Sequence, residues 1–238
     1  MRAVLVLIVV AITATSLRAD IILSSTGLNN TLKTMERLQR QMSGGGEGER
    51  AEALFQLATE ADALAALLND EVAAHGSQEK LLIDLAMSRT GEMGVAIAYN
   101  REKKKFFYDN TGFREYVAGY PRGPKAAEAQ FKVLEGEFFQ SSQTDTAAVS
   151  ASADRKAAFL ARHPTFSRNS EVSLMLSIDY RDLYRTSLEA GDARGQAKYL
   201  LLTRRQLQTT SRKYPSSDEA KVAAELLKRF DAERAAQR

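Results

Sequence analysis

Leu28, Leu32, Met35, Leu38 and Met42 recur at steps of four, three, three and four, with Lys33, Glu36, Arg37, Arg40 and Gln41 between them. Side chains three and four apart share one face of a helix, so the spacing predicts an amphipathic helix over 20–43. Two readings of the stripe fit. It is either a short coiled-coil seam that joins copies of the chain through Leu28, Leu32, Met35, Leu38 and Met42, or a helix that caps the body of its own chain. The glycines of SGGGEGE then predict a flexible linker over 44–49, because glycine loses the most backbone freedom on entering a helix. Beyond it, RAEALFQLATEADALAALLNDEVAAHG is rich in strong helix formers up to Gly76, and SQEKLLIDLAMSR opens another helix, which together predict an antiparallel pair. Between 92 and 109 the pattern is divided. Val95, Ile97 and Tyr99 alternate as in a strand, as do Phe106 and Tyr108, but REKKK between them has no breaker, and we read the segment as helix.

From residue 110 onward a unit recurs. GYPRGPKAAEAQFKVLEGEFF, RHPTFSRNSEVSLMLSIDY and KYPSSDEAKVAAELLKRF align on Pro121, Pro164 and Pro215, each preceded by a ring: Tyr120, His163 or Tyr214. The residue before proline is driven out of the helical region, so each proline ends one helix. Eight residues later stands Ala129, Val172 or Ala223, and four beyond that Val133, Leu176 or Leu227, one face of the next helix. Ser216 with Glu219 fits a capping box, and Gly123 with Pro124 fits a glycine cap followed by proline in the first helical turn. Val172, Met175, Leu176 and Leu183 gain Leu174 and Ile178 on a second flank, as suits a helix packed between neighbours.

These segments resemble the tetratricopeptide-like hairpins of bacterial envelope proteins, with the aromatic-Pro-turn-Ala pattern of the outer-membrane assembly lipoproteins and the periplasmic cell-division coordinator family. The coordinator family also places a short coiled coil and linker before its repeats, as 28–49 would. The resemblance covers about residues 110–238. It implies an all-α fold, an irregular solenoid of stacked antiparallel hairpins over 50–238, and the binding of another protein. Departures are visible. The prolines stand 43 and then 51 residues apart, against about 34 in a tetratricopeptide unit. The third unit has Thr210 and Ser211 where the others have Tyr116 and Val117 or Phe159 and Leu160.

MRAVLVLIVVAITATSLRAD has one positive charge, an apolar run and a short polar end, the build of a secretory signal peptide, with residues 1–19 removed after Ala19. Export to the periplasm or the exterior follows as an expectation. Taking Arg2 and Arg18 from a formal charge of +3 leaves +1, too little to attract nucleic acid or anionic lipid over long range. No cysteine is present, which excludes disulfides, thiolate metal sites and a lipidated N-terminal cysteine.

His75 and His163 have no further ligand at metal-site spacing. Glu135 with Glu137, and Glu60 with Asp62, are two apart and so point to different helix faces. We therefore expect no catalytic residue, metal or cofactor. Arg101–Lys105 with Tyr99, Phe106, Phe107 and Tyr108 mimics a nucleic-acid patch, but a single charge run reads better as a solvated face beside core rings. The expected partner is a protein or peptide, and Tyr116, Tyr120, Phe138, Phe139, Tyr180 and Tyr184 are candidates for contacting it because aromatics dominate interface energy. The alternative is an envelope enzyme, or an accessory helical domain, acting on cell-wall material.

Overall fold

The structure, a computed structural model, describes residues 24–75, 80–140 and 145–236. The proposed signal peptide lies outside them. The elements run α1 (Ser25–Gly44), α2 (Glu47–His75), α3 (Lys80–Glu92), β1 (Ile97–Asn100), β2 (Lys105–Tyr108), α4 (Thr111–Gly119), α5 (Ala126–Gln140), α6 (Thr146–Arg162), α7 (Asn169–Glu189), α8 (Ala193–Lys213) and α9 (Asp218–Ala236). The described residues are thus overwhelmingly helical.

The stripe of α1 is consumed inside its own chain. Leu28, Leu32, Met35 and Leu38 are buried in one cluster with Leu54, Phe55, Ala58, Ala61, Leu64 and Leu68 of α2, and Met42 packs at its edge. These side chains are not free to join a second copy, which corrects the intermolecular seam. The glycine-rich segment is mostly helical as well: α1 runs through Gly44 and α2 starts at Glu47. The chain reverses over Gly45 and Gly46. The Gly45 N–H donates to the Gln41 carbonyl at 3.0 Å, and a Cβ there would come within 2.9 Å of the same oxygen, so only glycine fits this turn.

The segment 92–109 is a β-hairpin rather than a helix. β1 and β2 pair antiparallel, with Ile97 opposite Tyr108 and Tyr99 opposite Phe106. The alternation of apolar residues wins because it places Ile97, Phe106 and Tyr108 on the buried face. The basic run forms the turn: the Asn100 carboxamide oxygen accepts from the Lys103 N–H at 2.9 Å, and Lys104 takes a φ of 53°. Two strands alone are barely stable in water, and here α2 completes the edge. The Asn69 side chain donates to the Phe106 carbonyl at 2.9 Å and accepts its N–H at 2.6 Å, standing in for a third strand. Gln140 of α5 donates to the Tyr108 carbonyl at 2.9 Å.

The three ring-proline turns share one geometry. Tyr120, His163 and Tyr214 end α4, α6 and α8 with φ/ψ of −132/56°, −123/62° and −124/52°. Each N–H donates to the carbonyl four residues back, on Tyr116, Phe159 or Thr210, and each carbonyl accepts the N–H three residues on, of Gly123, Phe166 or Ser217. Proline dictates this, since it offers no N–H and expels its predecessor from the helical region. The eighth residue after each proline, Ala129, Val172 or Ala223, is 0% exposed.

The helix starts differ by a residue or two from the expected caps. Ser217, not Ser216, accepts the Ala220 N–H at 3.1 Å. Pro124 stands in the turn before α5 rather than in its first helical turn.

α7 packs against α5, α6, α8 and α9, which is why both of its flanks are apolar. The core falls into a large cluster over α1–α5 and the hairpin, a second around Phe131, Phe159, Val172 and Met175, and a third around Leu174, Ile178, Leu207 and Ala223. Phe138 touches the last two.

Candidate functional site

The six aromatic candidates do not converge. Tyr116, 1% exposed, meets Phe55 edge-on at 5.6 Å, and its hydroxyl accepts the Lys125 N–H at 3.3 Å. Tyr184, 8% exposed, packs edge-on against Phe230 of α9 at 5.3 Å. Both are core residues. Half-buried Tyr120 leans on Tyr116 at 5.3 Å, and half-buried Phe138 on Phe139 at the same distance. Tyr180 is half-buried too, and burial, helped by Asp154 and Asp179, raises its phenol pKa. Tyr120, Phe139 and Tyr180 keep some surface for a partner.

The pattern of α6 concealed a buried charge. Val149, Ser152, Lys156 and Phe159 fall at helical spacing on the core face, and Lys156 is 0% exposed. Its Nζ donates to the Ser152 hydroxyl and to Asp179 Oδ2, both at 2.6 Å, and stands 5.1 Å from the centre of the Phe138 ring. Asp179, 6% exposed, likewise occupies the stripe of α7, seven residues after Val172. Burial pulls the Lys156 pKa down against the attraction of Asp179, and pushes Asp179 up to about 6 despite the ammonium. A charged residue at a position that the helical period assigns to the core was the signal for this pair.

A second network joins α2, α5 and the start of α7. Lys132 Nζ lies 2.8 Å from Asp62 Oδ2 and 2.9 Å from Glu135 Oε2. Arg168 donates to Glu135 at 3.0 Å and to both oxygens of Glu171 at 2.6 Å, with its guanidinium 4.0 Å from the Phe131 centroid. Burial opposes the charge of Lys132, but Glu135 and Asp62 outweigh it and raise its pKa. With donors and acceptors so matched, this arrangement clamps helices together.

His163 packs as its place before Pro164 suggests. Its ring lies 4.8 Å from Phe159, Nε2 is 3.0 Å from Gln130 Oε1, and burial with Arg162 lowers its pKa. The side chain of His75 lies outside the described residues. Among the described residues no group of three or more His, Asp or Glu is placed to hold a metal, and no helix is long and apolar enough to cross a membrane. In the basic-aromatic run, Phe106 and Tyr108 face the core and only Tyr99 is well exposed, so the rings form no stacking platform. A recess of about 160 Å³ between α7 and α9 is lined by Arg181, Tyr184, Arg185, Phe230 and Arg234.

Over the described residues the fold defines the class: an all-α protein of helical hairpins with a β-hairpin between α3 and α4. Comparison of the chain with protein-family models, curated proteins and solved structures finds no match.

Proposed function

We propose that the protein is an exported helical scaffold that holds a protein or peptide partner in the cell envelope. The observation that carries this reading is the ring-proline helix-turn-helix, present three times with one backbone geometry. Successive hairpins packed on one another, with α7 between its neighbours, support an irregular tetratricopeptide-like stack, and such stacks expose an extended surface suited to long partners. Export rests on the signal-like pattern of residues 1–19.

The test is crosslinking and co-purification of residues 20–238 from the native envelope, with captured proteins identified by mass spectrometry. A stoichiometric partner lost on Tyr120→Ala, Phe139→Ala or Tyr180→Ala, in chains that melt like the wild type, supports the reading. Absence of any enriched protein overturns it and directs effort to hydrolytic activity on cell-wall polymer.

A further inference from the structure

The charge of this chain is nearly balanced in total, but not along α8. That helix spans 21 residues, ARGQAKYLLLTRRQLQTTSRK, and contains no Asp or Glu. Its cations are all exposed. Of them, Arg204 pairs with Asp231 of α9, while Arg194, Lys198, Arg205, Arg212 and Lys213 have no carboxylate partner among the described residues. The opposite face, with Gly195, Thr203, Leu207 and Thr210, is buried in the protein.

Arg194, Lys198, Leu201, Arg205, Gln208 and Arg212 follow one another at steps of four, three, four, three and four. They form a single straight stripe on the outer face, roughly 27 Å long at about 1.5 Å per residue. Leu201, in its middle, is 68% exposed. Leu201 is a single apolar contact point; what distinguishes this face is the row of cations on either side of it that no carboxylate of the described residues neutralises.

We infer that the outer face of α8 docks an acidic helical segment of a partner protein, with carboxylates recurring every seven residues around an apolar residue that meets Leu201. This deepens the scaffold reading and rests on it. A helix laid along another presents the same face every seven residues, which is the spacing of Lys198, Arg205 and Arg212. Opposite charge in register gives steering and orientation, and Leu201 supplies the desolvated contact. A lipid surface fits less well. α8 cannot roll its apolar face into a bilayer because that face is already packed, and Asp231 of adjacent α9, paired with Arg204, sets a carboxylate beside the stripe that an anionic surface would have to meet. Nucleic acid would leave Leu201 without a role.

The experiment uses the full chain and a fluorescein-labelled synthetic helix with Glu at every seventh position beside a central Leu. A scrambled peptide of the same composition, phosphatidylglycerol vesicles and a single-stranded oligonucleotide serve as competing probes. The expected result is binding of the patterned helix alone, weakened at least about tenfold by K198E/R205E/R212E and by added salt, and weakened by Leu201→Asp, with unchanged circular dichroism in both variants. Equal binding of the scrambled peptide, the vesicles or the oligonucleotide through the same residues overturns the inference, as does no binding of the patterned helix. An envelope partner that still co-purifies with K198E/R205E/R212E would sink the α8 assignment while leaving the scaffold standing, whereas loss of every partner from the wild-type chain removes the scaffold itself.

Discussion

Replacing Asp179 tests the buried pair at the centre of the α6–α7 contact. The carboxylate of Asp179 has a folded pKa of about 6 against an ordinary 3.8, raised chiefly by burial. Between those values the folded chain holds a proton that the unfolded chain has released. The stability contributed by this group is therefore fully present below about pH 3.8 and is lost as pH rises through about 6. Two pKa units at about 1.4 kcal/mol each make the loss roughly 3 kcal/mol, a large share of a typical 5–15 kcal/mol domain stability. D179N has no such titration, but it leaves the buried Lys156 ammonium without its counter-charge, so the double variant K156M/D179N, which buries neither charge, is the reference variant. Urea unfolding followed by circular dichroism, at fixed ionic strength from pH 4 to pH 7, gives wild-type minus variant stability and cancels the other carboxylates. That difference should fall by roughly 3 kcal/mol across the range. A difference constant to within about 0.5 kcal/mol, or one that rises with pH, would refute the account. In the same assay at pH 7, Lys156→Met should cost about 3–5 kcal/mol, since it leaves Asp179 buried without its partner.

Gly136→Ala brings a Cβ to 1.8 Å from Asn110 Nδ2; overpacking of about 1–3 kcal/mol should outweigh the gain in helix propensity of about 1 kcal/mol. Thermal melting should show a net loss that Asn110→Gly relieves, because glycine removes the clash and suits the φ of 62° at that position. Asn69→Ala strips both hydrogen bonds from the Phe106 backbone, so it should cost about 1–3 kcal/mol and speed amide exchange in β2; unchanged exchange would show that the hairpin stands without α2. Tyr184→Ala opens the contact with Phe230 and should destabilise by about 3–5 kcal/mol on the scale of buried aromatics, whereas Tyr180→Ala, at a half-buried position, should cost markedly less; equal losses in urea unfolding would contradict the burial difference. Leu32→Ala should lower the melting temperature without changing the mass per particle in light scattering, since Leu32 is covered by its own chain; a change of mass would restore the intermolecular seam.

How much of this was legible follows from what each feature depends on. The ring-proline turns could be read because proline acts on its immediate neighbours, and the residue eight places later is set by helical period alone. The α1 stripe announced a buried face but not the face that buries it. Choosing between a second copy and α2 depends on a two-residue reversal at Gly45–Gly46 that brings the helices together. The segment 97–108 points both ways in sequence, since helix propensity in REKKK opposes the alternation around it, and the two hydrogen bonds from Asn69 that support the hairpin come from 37 residues away. Lys156 and Asp179 stand in apolar stripes where a charge is costly, and their pairing across α6 and α7 exists only once those helices pack. The six aromatics showed where large apolar area lay, yet whether a ring fills a core or meets a partner is decided by its neighbours in space. By itself the sequence determined the helices, the turns that reverse them and the faces that must be covered, because these depend on backbone sterics and periodicity within a few residues. Tertiary structure alone decided what covers each face, which charges meet an opposite charge and which lack a carboxylate along α8, because those depend on contacts between residues far apart in the chain.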